Sequence, residues 1–76
     1  MSVTLRQAEE DKEYVITGID VEDDEFEAFL FSLGCYVGES VSVISSKKSG
    51  CVLSIKDGRY HIDSALASVI TVREKK

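Results

Sequence analysis

Residues 51–62 read CVLSIKDGRYHI. Cys51, Leu53 and Ile55 recur at every second position, the period of a strand with one buried face. Asp57-Gly58 follows, among the strongest short-range hairpin signals, because a two-residue type I′ turn needs residues that tolerate positive φ. Placed at the centre of that turn, the pair sets a register in which Ile55 faces Tyr60 and Leu53 faces Ile62. Those four share one face, with Cys51 in line behind Leu53. Ser54, Lys56, Arg59 and His61 share the other. The reading predicts Cys51 pointing into a core and His61 pointing away from it. A hairpin with one aliphatic face is the seed of an antiparallel, mainly β domain.

Upstream, Val41 and Val43 alternate with Ser40 and Ser42, which predicts another strand. The polar run 45–50, SSKKSG, predicts a loop into the hairpin. Earlier still, Glu13 to Ile19 is rich in β-branched and aromatic residues and reads as a strand. Val3 and Leu5 suggest a short strand before it, with Ala8 tucked against the core. Downstream, residues 64–67 suffice for one helical turn, and Val69 to Val72 reads as a last strand.

The convincing helix spans 21–33. Phe26, Phe29, Leu30 and Leu33 recur at i, i+3, i+4 and i+7, which places them on one face. Asp20 suits the N-cap, where a carboxylate accepts from unpaired first-turn amides. Glu22, Asp23, Asp24, Glu25 and Glu27 follow, where the helix dipole favours negative charge. Gly34 fits the left-handed position just past the helix, with Cys35 as the apolar residue that closes such a cap. Five or six short strands and one helix in 76 residues call for a strongly bent antiparallel sheet. At this length it is expected to close into a small barrel.

Composition narrows the function. The length predicts one domain over residues 1–76. Hydrophobic residues at 43% and charged residues at 30% are ordinary for a globular chain. The net charge of −5 argues against nucleic acid, whose binding rests on neutralising phosphates with Lys and Arg, and against an anionic membrane surface. The largely apolar stretch 28–38 is far short of the ~20 residues that span a bilayer. The first residues have no apolar signal-peptide core. Two cysteines are too few for a disulfide framework, so the expected compartment is the cytoplasm.

No constellation for catalysis is present. There is no Gly-x-Ser-x-Gly elbow and no Gly-x-x-x-x-Gly-Lys-Ser phosphate loop. The acidic run 20–27 offers oxygen ligands of the kind hard cations take, but it lacks the Asp-x-Asp-x-Asp-Gly loop and reads as a solvated helix start. Cys35, Cys51 and His61 are ligand types for iron or zinc. Their spacing matches no metal motif, and the hairpin register puts Cys51 and His61 on opposite faces. They read as two core thiols and a surface histidine, with no cofactor expected.

One family resemblance covers nearly the whole chain. Phe29-Leu30-Phe31-Ser32-Leu33-Gly34-Cys35-Tyr36-Val37-Gly38-Glu39, followed by Val41 and Val43, resembles the helix–LG–x–x–x–G–strand signature of the ferrous iron transport accessory protein A family, FeoA. Gly58-Arg59-Tyr60-His61-Ile62 and then Ala67-Ser68-Val69-Ile70-Thr71-Val72 resemble its ending. The opening Leu5, Ala8, Tyr14-Val15-Ile16 and Gly18-Ile19 also fit. The resemblance implies an SH3-like β-barrel, with one helix inserted between early strands and a helical turn before the last. It implies a non-enzymatic cytosolic accessory role in ferrous iron uptake, binding and regulating the cytoplasmic part of the membrane transporter FeoB. The alternatives are an Fe2+-binding sensor or chaperone, and a generic SH3-like interaction module. This sequence departs from the family in two places. Val37 stands where many relatives have proline, and the helix opens on acidic residues where many have a basic one. Candidate partner contacts are Tyr36, the Lys47-Lys48 loop tip, and the face carrying Arg59 and His61.

Overall fold

The computed structural model describes residues 2–75. Six strands form one antiparallel sheet: β1 Ser2–Thr4, β2 Glu13–Ile19, β3 Ser40–Lys47, β4 Gly50–Ile55, β5 Gly58–Asp63 and β6 Ile70–Glu74. Their order is β1-β6-β2-β3-β4-β5. A 3-10 turn, Leu5–Gln7, follows β1. Helix α1, Asp24–Ser32, fills the β2–β3 connection, and the single turn α2, Ser64–Ala67, precedes β6. The sheet coils, and its edge strands β1 and β5 are not paired with each other. The 3-10 turn touches β1, β4 and β6, α2 touches β4 and β5, and the two touch each other, covering the remaining seam. The result is the mainly β, SH3-like barrel the sequence implied.

The core is aliphatic. Leu5, Ile16, Leu30, Leu53, Ile70 and Val72 have no exposed surface, and Val41, Val43, Ile55 and Cys51 are buried beside them. Leu5 comes from the 3-10 turn and Leu30 from α1; the others occupy inward positions of strands. Tyr14 is the buried aromatic; its hydroxyl accepts from the Glu9 amide at 2.9 Å, so the phenol does not sit unpaired in the core. Bulges lie between Ile16 and Gly18 on β2 and between Val43 and Ser45 on β3. Such bulges increase local twist and help a short sheet coil.

Three local expectations are corrected. The central hairpin turns at Lys56-Asp57, with Ile55 opposite Gly58, Leu53 opposite Tyr60 and Cys51 opposite Ile62. Lys56 takes the positive φ, 55°, that Gly58 was expected to absorb. Gly58 lies within the strand because Tyr60 folds back along it: a Cβ there would stand 2.6 Å from the Tyr60 hydroxyl. The turn moves by one residue on each side of the pairing, so every side chain keeps its face. Cys51 is buried and His61 exposed, as expected.

The loop expected over 45–50 is in fact strand. Ser45 pairs with Val52 and Lys47 with Gly50, leaving a two-residue turn. Gly50 permits this: its φ is +153°, and a Cβ would collide with the Ile62 carbonyl oxygen.

Helix α1 starts later than expected. The Asp20 amide still donates to the Val69 carbonyl at 2.8 Å, which keeps it attached to the sheet. Asp23 caps the helix instead, its Oδ1 accepting from the Glu25 amide at 2.9 Å. The C-terminal end forms as read. Gly34 has φ +89°; its amide donates to Phe31 at 3.0 Å and the Cys35 amide donates to Leu30 at 2.9 Å. That pair of bonds is a Schellman cap, and buried Cys35 supplies its apolar contact.

Candidate interaction surface

Helix α1 carries all three phenylalanines of the chain, and none of them enters the core. Phe26, Phe29 and Phe31 are exposed, and Leu30 is the one side chain the helix buries. The face Phe26-Phe29-Leu30-Leu33 was expected to seat the helix on the barrel. The structure corrects this: Leu30 is buried, Leu33 is half-buried, and the two phenylalanines flank the contact in solvent. The helix is short and capped tightly at both ends, so one buried leucine and the Schellman cap suffice to place it.

The other flank of α1 builds a surface with the loop that follows. Phe31 and Tyr36 have ring centroids 5.1 Å apart, tilted by 35°. Lys56 at the central hairpin donates to the Tyr36 hydroxyl at 3.0 Å, and its ammonium lies 5.3 Å from the ring centre. The Tyr36 hydroxyl, with Glu39 adding its charge, holds Lys56 above the ordinary lysine range. An open groove of about 580 Å³ runs between the end of α1 and this hairpin, lined by Phe31, Leu33, Tyr36, Ile55 and Tyr60 among others. Phe31 also walls a depression with Asp24, Glu27 and Ala28. A third hollow joins it to Ile19 and Val37.

The residues singled out from the sequence fall in three places. Tyr36 belongs to the surface just described. Lys47 and Lys48 are exposed at the β3–β4 turn, and Arg59 and His61 are exposed on edge strand β5. Sequence reading missed Phe31 and Val37. Phe31 falls outside the i, i+3, i+4, i+7 face and gives a usable signal only as a large apolar residue that the helix pattern has no place for.

The ligand-type residues do not gather. Among the described residues no group of three or more His, Cys, Asp or Glu side chains is placed to hold an ion. Cys35 and Cys51 are free and buried. Burial pushes the Cys35 thiol up to about 11, with Cys51 adding to the rise, and burial also raises Cys51. Among the described residues, no helix is long and apolar enough to cross a membrane.

Comparison with known proteins follows the same lines. The FeoA domain family model matches residues 3–74. No curated protein sequence matches the chain. The fold is similar to the crystal structure of an iron uptake regulatory protein, FeoA, with TM-score 0.89 and 24% identity over 99% of this chain and 100% of that one. It is similar to a manganese-dependent transcriptional repressor, with TM-score 0.87 and 14% identity over 97% of this chain and 42% of that one. It is also similar to IdeR of T. acidophilum, with TM-score 0.86 and 22% identity over 97% of this chain and 34% of that one. The chain thus spans less than half of the manganese-dependent repressor and about a third of IdeR, and the likeness is one of fold. With the family model covering nearly its whole length, the chain belongs to the FeoA domain family and, with it, to ferrous iron transport.

Proposed function

We propose that this chain is a cytoplasmic, non-enzymatic accessory domain that binds and regulates the cytoplasmic part of the ferrous iron transporter FeoB. Family membership supports the iron connection. The observation that carries the binding role is the display of all three phenylalanines on α1, outside a core that is complete without them. Burying such a side chain stabilises a folded chain by roughly 1.5–3 kcal/mol. Here that free energy is left available to a partner. Tyr36, Lys47, Lys48, Arg59 and His61 are the polar and amphipathic contacts of the reading. Tyr and Arg are frequent anchors of protein interfaces.

The role asks for no resident metal. A thiolate ligand would have to be formed from a buried thiol whose pKa burial has already raised. Calorimetric titration with the purified cytoplasmic domain of the transporter tests the proposal. Saturable binding is expected, and no heat at high micromolar concentration would overturn it. Anaerobic Fe(II) titration of the domain alone should show no stoichiometric binding. A site lost on Cys35→Ser or Cys51→Ser would instead favour a sensor or chaperone.

A further inference from the structure

Phe31 is 65% exposed and Val37 is 61% exposed. Phe31 lines all three hollows, Tyr36 shares two of them and Val37 shares one. This is a shaped apolar surface, unlike the isolated exposed side chains that are normal on any protein. Its aromatic floor is fixed: Tyr36 is held by Lys56 at 3.0 Å and packed against Phe31. The Schellman cap fixes the angle at which the chain leaves α1 toward Tyr36.

Apart from Lys56, which lines the groove beside Tyr36, the charge around this surface is negative. Asp24 and Glu27 wall the depression beside Phe31, and the helix start adds Glu22, Asp23 and Glu25, all exposed. Lys56 is already committed to Tyr36. An incoming chain therefore meets an apolar floor with free carboxylates along one wall. A second copy of this chain is disfavoured as the occupant, because each copy carries a net charge of −5 and would set acidic helix against acidic helix.

Resting on the proposed function, we infer that the Phe31–Tyr36–Val37 surface seats a basic amphipathic segment of the transporter's cytoplasmic part. An apolar anchor of that segment packs beside Phe31, and a Lys or Arg on it pairs with Glu27 and Asp24. This is the helix-in-groove mode of recognition, in which apolar anchors supply affinity and flanking charge supplies orientation.

The test is titration of the transporter's cytoplasmic domain with wild type, Phe31→Ala, Val37→Ser and Glu27→Lys, at low and high salt. Circular dichroism melting of each variant serves as the fold control. Each altered side chain is exposed, so the variants are expected to melt as wild type. Phe31→Ala should weaken binding about tenfold or more, as loss of an interface anchor does. Glu27→Lys should weaken it at low salt, with the difference shrinking as salt screens the pair. Wild-type binding that both Phe31→Ala and Glu27→Lys leave within about threefold overturns this surface while the accessory role stands. No wild-type binding overturns both. Sedimentation showing a wild-type dimer that Phe31→Ala dissociates assigns the surface to self-association and overturns the inference.

Discussion

Leu53 and Phe31 are both large apolar side chains, yet Leu53 has no exposed surface and Phe31 is 65% exposed. The barrel around Leu53 takes most of its buried apolar residues from alternating strand positions. Helix α1 buries Leu30 alone and leaves three phenylalanines outside. The same physical force therefore has two uses in one small chain. In the barrel, apolar surface is removed from water on folding. On α1 it stays exposed, and removing it from water remains available to a second molecule. The difference teaches that hydrophobic periodicity locates an element without saying how deeply the element is buried.

The comparison breaks or holds on measurements of stability. Leu53→Ala carries the largest expected effect, because the cavity adds to the lost transfer free energy. Denaturant unfolding should show a loss of about 2–5 kcal/mol. A loss below about 1 kcal/mol would mean that the barrel interior collapses around the gap and is not the stabilising region.

The buried thiols come next. In the folded chain both are harder to ionise than in the unfolded one, and Cys35 titrates only at about 11. The unfolded chain therefore loses its thiol protons first as pH rises. Their contribution is fully present below the unfolded thiol value of about 8.5, and it declines as pH climbs toward 11. Melting temperatures from pH 7 to 11 should show that decline, and Cys35→Ala should make it shallower. An equally steep decline in the variant would place the alkaline sensitivity elsewhere.

Asp63 ranks third. It caps α2 by accepting from the Leu66 amide at 2.8 Å, and α2 covers the seam of the barrel with Leu66 and Ala67. Asp63→Ala should cost about 1 kcal/mol in equilibrium unfolding. The smallest effect belongs to the opposite region. Phe31→Ala should change unfolding free energy by no more than about 0.5 kcal/mol, as for exposed positions. A much larger loss would show that Phe31 supports the fold, and the contrast between the two regions would fail.

Much of the fold was legible in residue order. The alternation through Cys51, Leu53 and Ile55, the helix ending at Gly34-Cys35, and the short turn at 64–67 all appear where the pattern placed them. The candidate surface was legible only at Tyr36. Phe31 lies off the apolar stripe, and a sequence pattern counts an apolar residue the same whether or not anything packs on it. The helix start was misplaced for a related reason. Asp20 has the chemistry of a cap, but its amide is already bound to Val69, some fifty positions along the chain.

Local chemistry by itself determined most of the strands, though not the pairing of 45–47 with 50–52, and it determined the face each hairpin residue occupies, the Schellman cap and the inward thiols. Each follows from a period of two or from the backbone freedom of a single residue. Tertiary structure alone decided the turn at Lys56-Asp57, because Tyr60 lying over Gly58 selects between two registers of the same parity. It alone also decided that the phenylalanines of α1 stay outside, because the core is closed by aliphatic residues of the strands and turns and takes Leu30 from the helix.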